Sequence, residues 1–251
     1  MIISVASIKG GVGKSCSVIS IGGALAQSKK KTKVLIVDFD ASAAATHSLS
    51  YNFPRFRASL FDIFEKKFDV DQAIHQYSKS LHFIPTATNW GSVSEKTLTK
   101  HMPAFIKKIQ QEYDYVLFDL APAIFFGSIV PLSYSDAVII PVQAKGGLSL
   151  LGLDAQMEII ADLHQQGNEI DVLGIFATFV NRTKLSREVV SYLQRECKDE
   201  FLSTTIRENT SLAQAASMGK TIFDHRPNSN GAKDYTKLTK ELLLRIKNRK
   251  G

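Results

Sequence analysis

Strand-length apolar runs alternate with longer stretches of helical spacing along the whole chain, and this alternation constrains the fold more than any other feature. The β-rich runs fall at residues 2–6, 34–39, 81–84, 115–120, 137–142 and 172–180. Between them, apolar residues recur at helical spacing, as at 18–26, 102–109 and 150–163. A strand that is apolar at nearly every position must be covered on both faces, which is the situation in a parallel sheet flanked by helices. The expected fold class is therefore α/β, a doubly wound, mostly parallel sheet with helices on both faces. No repeat, low-complexity tract or Pro/Gly/Ser linker divides the 251 residues. Residues 1–251 are read as a single domain, a length that one core can serve. No run approaches the roughly 18 apolar residues of a membrane span. The opening Met1-Ile2-Ile3-Ser4 has neither a basic stretch nor a cleavage site, so no signal peptide is expected. Cys16 and Cys197 lack any paired spacing, which fits a reducing cytoplasm better than a disulfide framework.

In such sheets ligands sit beyond the carboxyl ends of the strands, so the chemistry is expected after residues 6, 39 and 120. Ser7-Ile8-Lys9-Gly10-Gly11-Val12-Gly13-Lys14-Ser15 follows the first run and precedes a helical stretch. Glycines at 10, 11 and 13 let the backbone curl with its N–H groups turned inward on phosphate oxygens, and the next helix adds its positive end. Lys14 is placed to reach the β- and γ-phosphates, and the Ser15 hydroxyl to ligate Mg²⁺. The ordinary P-loop pattern has glycine where Ile8 stands; here the loop carries an additional lysine, Lys9. The cofactor-binding stretch runs through Lys9, Gly10, Gly11, Val12, Gly13, Lys14, Ser15 and Cys16, with ATP and Mg²⁺ as the expected cofactors.

Two acid-bearing strand ends complete the constellation. Val34-Leu35-Ile36-Val37-Asp38-Phe39-Asp40 ends one run with acids at alternate positions, and Tyr115-Val116-Leu117-Phe118-Asp119 ends another with one. A carboxylate closing an apolar strand is costly unless it binds something. Asp119 reads as the acid that holds Mg²⁺ through water, Asp38 as an assistant at the metal, and Asp40 as the group orienting the attacking water. Asp38 has a second reading, as the N-cap of the next helix.

With these residues in place, the sequence resembles the ParA/Soj partition ATPases, within the MinD-like group of deviant P-loop ATPases. The resemblance spans nearly the whole chain. It rests on Lys9–Ser15, the strand at 34–40, Asp119, Pro141-Val142-Gln143, the run Asn181-Arg182-Thr183-Lys184-Leu185-Ser186-Arg187, and a late signature. That signature comprises Thr205-Ile206-Arg207-Glu208-Asn209, Leu212-Ala213-Gln214-Ala215 and Gly219-Lys220; Gly231, Ala232, Tyr235 and Leu238 match the start of the last helix. What the resemblance implies is an ATP hydrolase whose two copies sandwich ATP, Lys9 reaching the nucleotide of the other copy. Asp40 would position the lytic water. Asn181 would meet the adenine edge, helped by backbone near Ile206 and Arg207. Arg182, Lys184, Arg187, Arg207 and Lys220 would lie on a face that binds DNA without sequence preference, and a ParB-like centromere-binding or adaptor protein would trigger hydrolysis. The expected location is the cytoplasm, on the nucleoid. Two departures stand out: Ala41-Ser42 replaces the family's Pro-Gln after the second acid, and Leu120-Ala121-Pro122 follows Asp119. The chain also lacks the helix-turn-helix extension of larger relatives, so specific operator reading is not expected.

Charge points the same way without deciding it. Thirty-one Lys and Arg stand against 24 Asp and Glu, a net +7, which attracts nucleic acid or anionic lipid. Basic residues gather at Lys29-Lys30-Lys31 and in the tail from Lys233 to Lys250, although such runs are commonly solvated helix faces. The segment from Leu238 to Lys247 is amphipathic enough to allow a MinD-like, membrane-associated alternative, but it lacks bulky aromatics and is expected to pack in the core; a membrane is not expected as a partner. An iron-sulfur reductase would need a cysteine after Asp119, and none follows. Cys16 reads as a small buried hydrophobe rather than a reactive thiol, the six histidines show no metal spacing, and Trp90 reads as packing. The aromatics Phe53, Phe56, Phe61, Phe64 and Phe68 read as core.

Overall fold

The computed structural model describes residues 1–28, 32–50, 55–87, 93–145 and 148–249; Trp90, Phe53 and the Lys29-Lys30-Lys31 knot lie outside the described residues. The first strand, β1 (Ile2–Val5), leads through the glycine loop into α1 (Lys14–Ala26), and β2 (Val34–Asp38) into the short α2 (Ala44–Ser48). Two more short helices, α3 (Leu60–Phe64) and α4 (Val70–Ala73), precede a hairpin of β3 (His75–Gln76) and β4 (Leu81–Ile84). There follow α5 (Glu95–Glu112), β5 (Tyr115–Asp119), α6 (Phe126–Ser133), β6 (Ala137–Gln143), α7 (Leu148–Gln165) and β7 (Asp171–Thr178). The chain closes with α8 (Lys184–Glu196), α9 (Thr210–Ser217), α10 (Ile222–His225) and α11 (Asn230–Arg249).

Among the described residues the sheet has seven strands in the order β3-β4-β2-β5-β1-β6-β7. Every pairing is parallel except that of β3 with β4. Successive strand residues feed opposite layers, as the pleat requires. Leu35, Val37, Val116 and Phe118 join the core beneath α3, α5, α6, α7 and α8, whereas Val34, Ile36 and Leu117 join the core beneath α1, α9, α10 and α11. The aromatic-rich segment divides between packing roles as expected. Phe61 and Phe64 are buried, and Phe56 meets Phe83 edge-on at 5.8 Å.

The expected run at 172–180 stops as a strand at Thr178, because Phe179 turns to a left-handed backbone with φ 53°. From there Val180 pairs with Arg207, so the late loop covers the edge of β7. The last helix also belongs to the fold. Tyr235, Leu238, Leu242 and Ile246 are buried in it. The Arg245 guanidinium donates to the carbonyls of Leu173, Asp199, Glu200 and Phe201 at 2.7–3.2 Å. Arg249 donates to Val172 at 2.9 Å and pairs with Asp171 at 3.0 Å. Two cations of the basic tail are thus spent on closing the β7 edge.

Candidate active site

The parallel register sets the site. Val5 of β1 stands opposite Asp119 of β5, and Asp119 opposite Asp38 of β2, so three strands end flush and their loops meet. The loop after β1 makes its turns at Gly11 (φ 75°) and Gly13 (φ 93°), conformations that an L side chain resists. Gly13 opens α1 with no side-chain cap and no acid in the first turn, leaving the leading N–H groups of that helix to an anion. Thr178 at the end of β7 braces the loop, its hydroxyl donating to the Val12 carbonyl at 2.8 Å. Lys9, half-buried, packs its stem beside Gly152 of α7.

Lys14 is 5% exposed. Burial pushes its ammonium below the ordinary value, while Asp119 and Asp40 pull it back up. The acids themselves are treated very differently. Asp38 is well supplied: one oxygen accepts from the Asp40 N–H at 3.0 Å, and the other from the Thr46 N–H at 2.8 Å and the Thr46 hydroxyl at 2.7 Å. Burial still raises it to about 6, with those donors opposing and the Asp40 charge adding to the rise. It is not the N-cap of α2, a position held by Ala43 with φ 57°, but it does receive a first-turn N–H of that helix across space. Asp119 is fully buried, and neither of its oxygens has a hydrogen-bond partner. Burial and the Asp38 charge hold its carboxyl well above the usual range, offset in part by the nearby Ser15 hydroxyl and Lys14.

Two orphaned, deeply buried oxygens beside a phosphate-shaped loop call for a cation. Among the described residues no cluster of three or more His, Cys, Asp or Glu side chains is placed to hold a metal. A metal here would therefore take one or two protein oxygens and complete its shell with phosphate and water, which is the habit of Mg²⁺. The residues present fit that ion.

On the other side of the loop lies a cavity of about 160 Å³, lined mainly by apolar side chains that include Phe179, Ile206, Leu212 and Tyr235. Gly13, Cys16, Arg207 and Asn209 also line it. Cys16 behaves as expected for an inert thiol: burial pushes its pKa up, and the Tyr235 hydroxyl lies 3.8 Å from the sulfur. Asn181 does not line this cavity. Its carbonyl oxygen accepts from the Thr183 N–H and hydroxyl at 3.1 and 2.7 Å, and its amide donates to Glu208 at 3.3 Å. Sequence pattern gives Phe179, Asn209 and Tyr235 no role at this cavity. The left-handed turn that aims Phe179 has no local signature, and Asn209 and Tyr235 lay within matched segments without a role.

A family model described as an AAA domain matches residues 1–172. The sporulation initiation inhibitor protein Soj of Bacillus subtilis is 30% identical over 249 residues, covering 96% of this chain and 97% of that protein. The chain belongs to the ParA/Soj family of P-loop ATPases. Its fold is that of apo McdA from Cyanothece (TM-score 0.81, 21% identity, covering 96% of this chain and 98% of that one). It is also that of the septum site-determining protein MinD from Pyrococcus horikoshii, solved with Mg-ADP (TM-score 0.76, 22% identity, 96% and 95% covered).

The basic residues that the resemblance assigns to a DNA-binding face do not share one layer of this structure. Arg182 and Arg187 are exposed around the start of α8, the Arg187 guanidinium donating to the Arg182 carbonyl at 3.2 Å, and Lys184 is 86% exposed with only a 3.7 Å ion pair to Glu188. That helix packs on one face of the sheet. Lys220 follows α9 on the other face, half-buried beside Ile19, Ser48 and Ile222. Arg207 binds the buried Asp234 through its backbone N–H and two guanidinium nitrogens at 2.6–3.1 Å, so its charge has an internal partner although its side chain is 48% exposed.

Proposed function

We propose that this ParA-like positioning ATPase works in DNA partition. ATP joins two copies, the dimer binds DNA without reading its sequence, and hydrolysis stimulated by a ParB-like or adaptor protein releases it. The observation that carries the reading is the flush ending of β1, β2 and β5, which sets an anion-binding loop beside the orphaned carboxylate of Asp119. The Soj relationship supports the partition branch. ATP lays its phosphates along Gly10–Ser15, with Lys14 as the point charge on the β- and γ-phosphates and the base directed toward the cavity beside Phe179. Mg²⁺, when bound, neutralises phosphate charge; Ser15 and Asp119 are the residues that hold it, and Asp40 orients the attacking water. Lys9 reaches the partner copy's nucleotide. Asn181 meets the adenine edge only after releasing Glu208 or Thr183. The DNA contacts fall first to Arg182, Lys184 and Arg187, whose charges are exposed, and the dimer acts on the nucleoid in the cytoplasm.

The decisive test pairs nucleotide and DNA binding. Lys14→Ala should abolish binding of a fluorescent ATP analogue, and ATP should convert weak DNA association of the unsubstituted chain into retention that falls steeply with salt. Charge reversal at Arg182 and Arg187 should reduce the salt slope by about one unit per lost contact. Full nucleotide affinity in Lys14→Ala, or ATP-dependent retention on anionic vesicles in place of DNA, would defeat this reading.

A further inference from the structure

Asp38 and Asp119 stand side by side on neighbouring strands, yet only one is available to a ligand. Three donors converge on Asp38, and one of them, the Thr46 hydroxyl, is itself an acceptor for the Thr86 N–H at 3.0 Å. Asp38, Thr46 and Thr86 are all buried. The chain Thr86 → Thr46 → Asp38 ← Asp40 therefore ties the end of β4 to the first turn of α2, and both to the turn that carries Asp40. Beyond that point, among the described residues, the turn is closed by Asp40 itself, which accepts from the Ser42 N–H at 2.8 Å and, through its carbonyl, from the Ala43 N–H at 2.8 Å. No proline stiffens it.

We infer that Thr46 is a positioning residue for ATP hydrolysis, holding Asp38 so that Asp38 fixes the turn from which Asp40 acts. The inference rests on the ATPase reading above, and it takes Asp38 out of the metal shell: three of the roughly four acceptor sites of a carboxylate are already filled by protein donors. The hydroxyl is the irreplaceable part. It donates to Asp38 and accepts from Thr86 at once, whereas the Thr46 backbone N–H survives any substitution. A methyl in its place would orphan the Thr86 N–H and remove a charge-assisted bond from Asp38, both in a buried setting where such losses are felt most.

Thr46→Val keeps the shape and removes the hydroxyl; Thr46→Ser keeps the hydroxyl. In the nucleotide-free chain, backbone amide exchange at Asp40 and Thr86 should quicken at least tenfold in Thr46→Val, with the amides of β5 unchanged as the sign of an intact fold. Phosphate release should show kcat lowered at least tenfold while KM stays within twofold, and Thr46→Ser should restore both readouts. An unchanged kcat in Thr46→Val, a KM that rises in step with the fall in kcat, or no recovery in Thr46→Ser would each overturn the inference. Failure of the unsubstituted chain to release phosphate from ATP would bring down the ATPase reading and this one together.

Discussion

Asp119→Asn should make the nucleotide-free protein more stable while removing its response to Mg²⁺. The side chain is fully buried and neither oxygen has a partner in hydrogen-bond geometry, so an amide of the same shape forfeits only the approach of the nearby Ser15 hydroxyl. Its carboxylate stands level with that of Asp38 on the adjacent strand, and neighbouring strands are about 4.8 Å apart. Two unit charges at that separation repel by about 3 kcal/mol at an effective dielectric constant of 20. Keeping Asp119 protonated instead costs up to about 4 kcal/mol at pH 7. Lys14 offsets part of the repulsion, leaving a net gain on the order of 1–2 kcal/mol, or about 3–6 °C in Tm for a chain of this length. Thermal unfolding followed by circular dichroism, with and without Mg-ADP, reads both halves. The reasoning fails if the substitution lowers the nucleotide-free Tm, which would mean Asp119 has a partner, or if Mg-ADP still raises the variant's Tm as it does that of the unsubstituted chain.

Three further outcomes follow from the same geometry. Ala43→Gly relieves a left-handed alanine costing about 1–2 kcal/mol; after the entropy a glycine adds to the unfolded chain, denaturant unfolding should show a gain of about 0.5–1 kcal/mol. Arg245→Met strands four carbonyls and should cost about 2–3 kcal/mol by the same measurement, with DNA retention unchanged. Asp38 is raised to about 6 in the fold, so the folded state takes up a proton that the unfolded state releases near pH 4. Stability relative to Asp38→Asn should therefore fall by up to about 3 kcal/mol as pH rises from 4 to 6 and level off above; a flat difference across that window would show that Asp38 does not titrate there.

The layered sheet was readable because its strands are apolar on both faces, and Gly11, Gly13 and Lys14 announce an anion loop by spacing alone. Asp38 and Asp119 are legible as strand-ending acids of different rank, but the residue that fills the oxygens of Asp38 is not. What separates them is Thr46, eight residues beyond Asp38 and unremarkable in sequence, whose two donors arrive only when α2 folds back over the strand end. The ion pair of Arg207 is not legible, because Asp234 lies 27 residues away on α11. The resemblance implies one face for Lys220, Arg182 and Arg187, whereas the sheet puts their helices on opposite faces. Each shortfall concerns a partner distant in sequence, where periodicity and motif spacing carry no information.

The docking of α11 has a consequence for any encounter with a bilayer. Tyr235, Leu238, Leu242 and Ile246 form the stripe such a helix would have to present to acyl chains, and all four are already enclosed. Withdrawing them from the core forfeits about 1.5–3 kcal/mol apiece, together about 6–12 kcal/mol, a sum comparable with the whole folding free energy of an ordinary domain. Lipid would repay the transfer only by taking the helix from a protein that had come undone, with the β7 edge laid bare as Arg245 left its carbonyls. An intact molecule turns outward from this helix Lys233, Lys237, Lys240 and Lys247, with Leu244 as the apolar side chain among them.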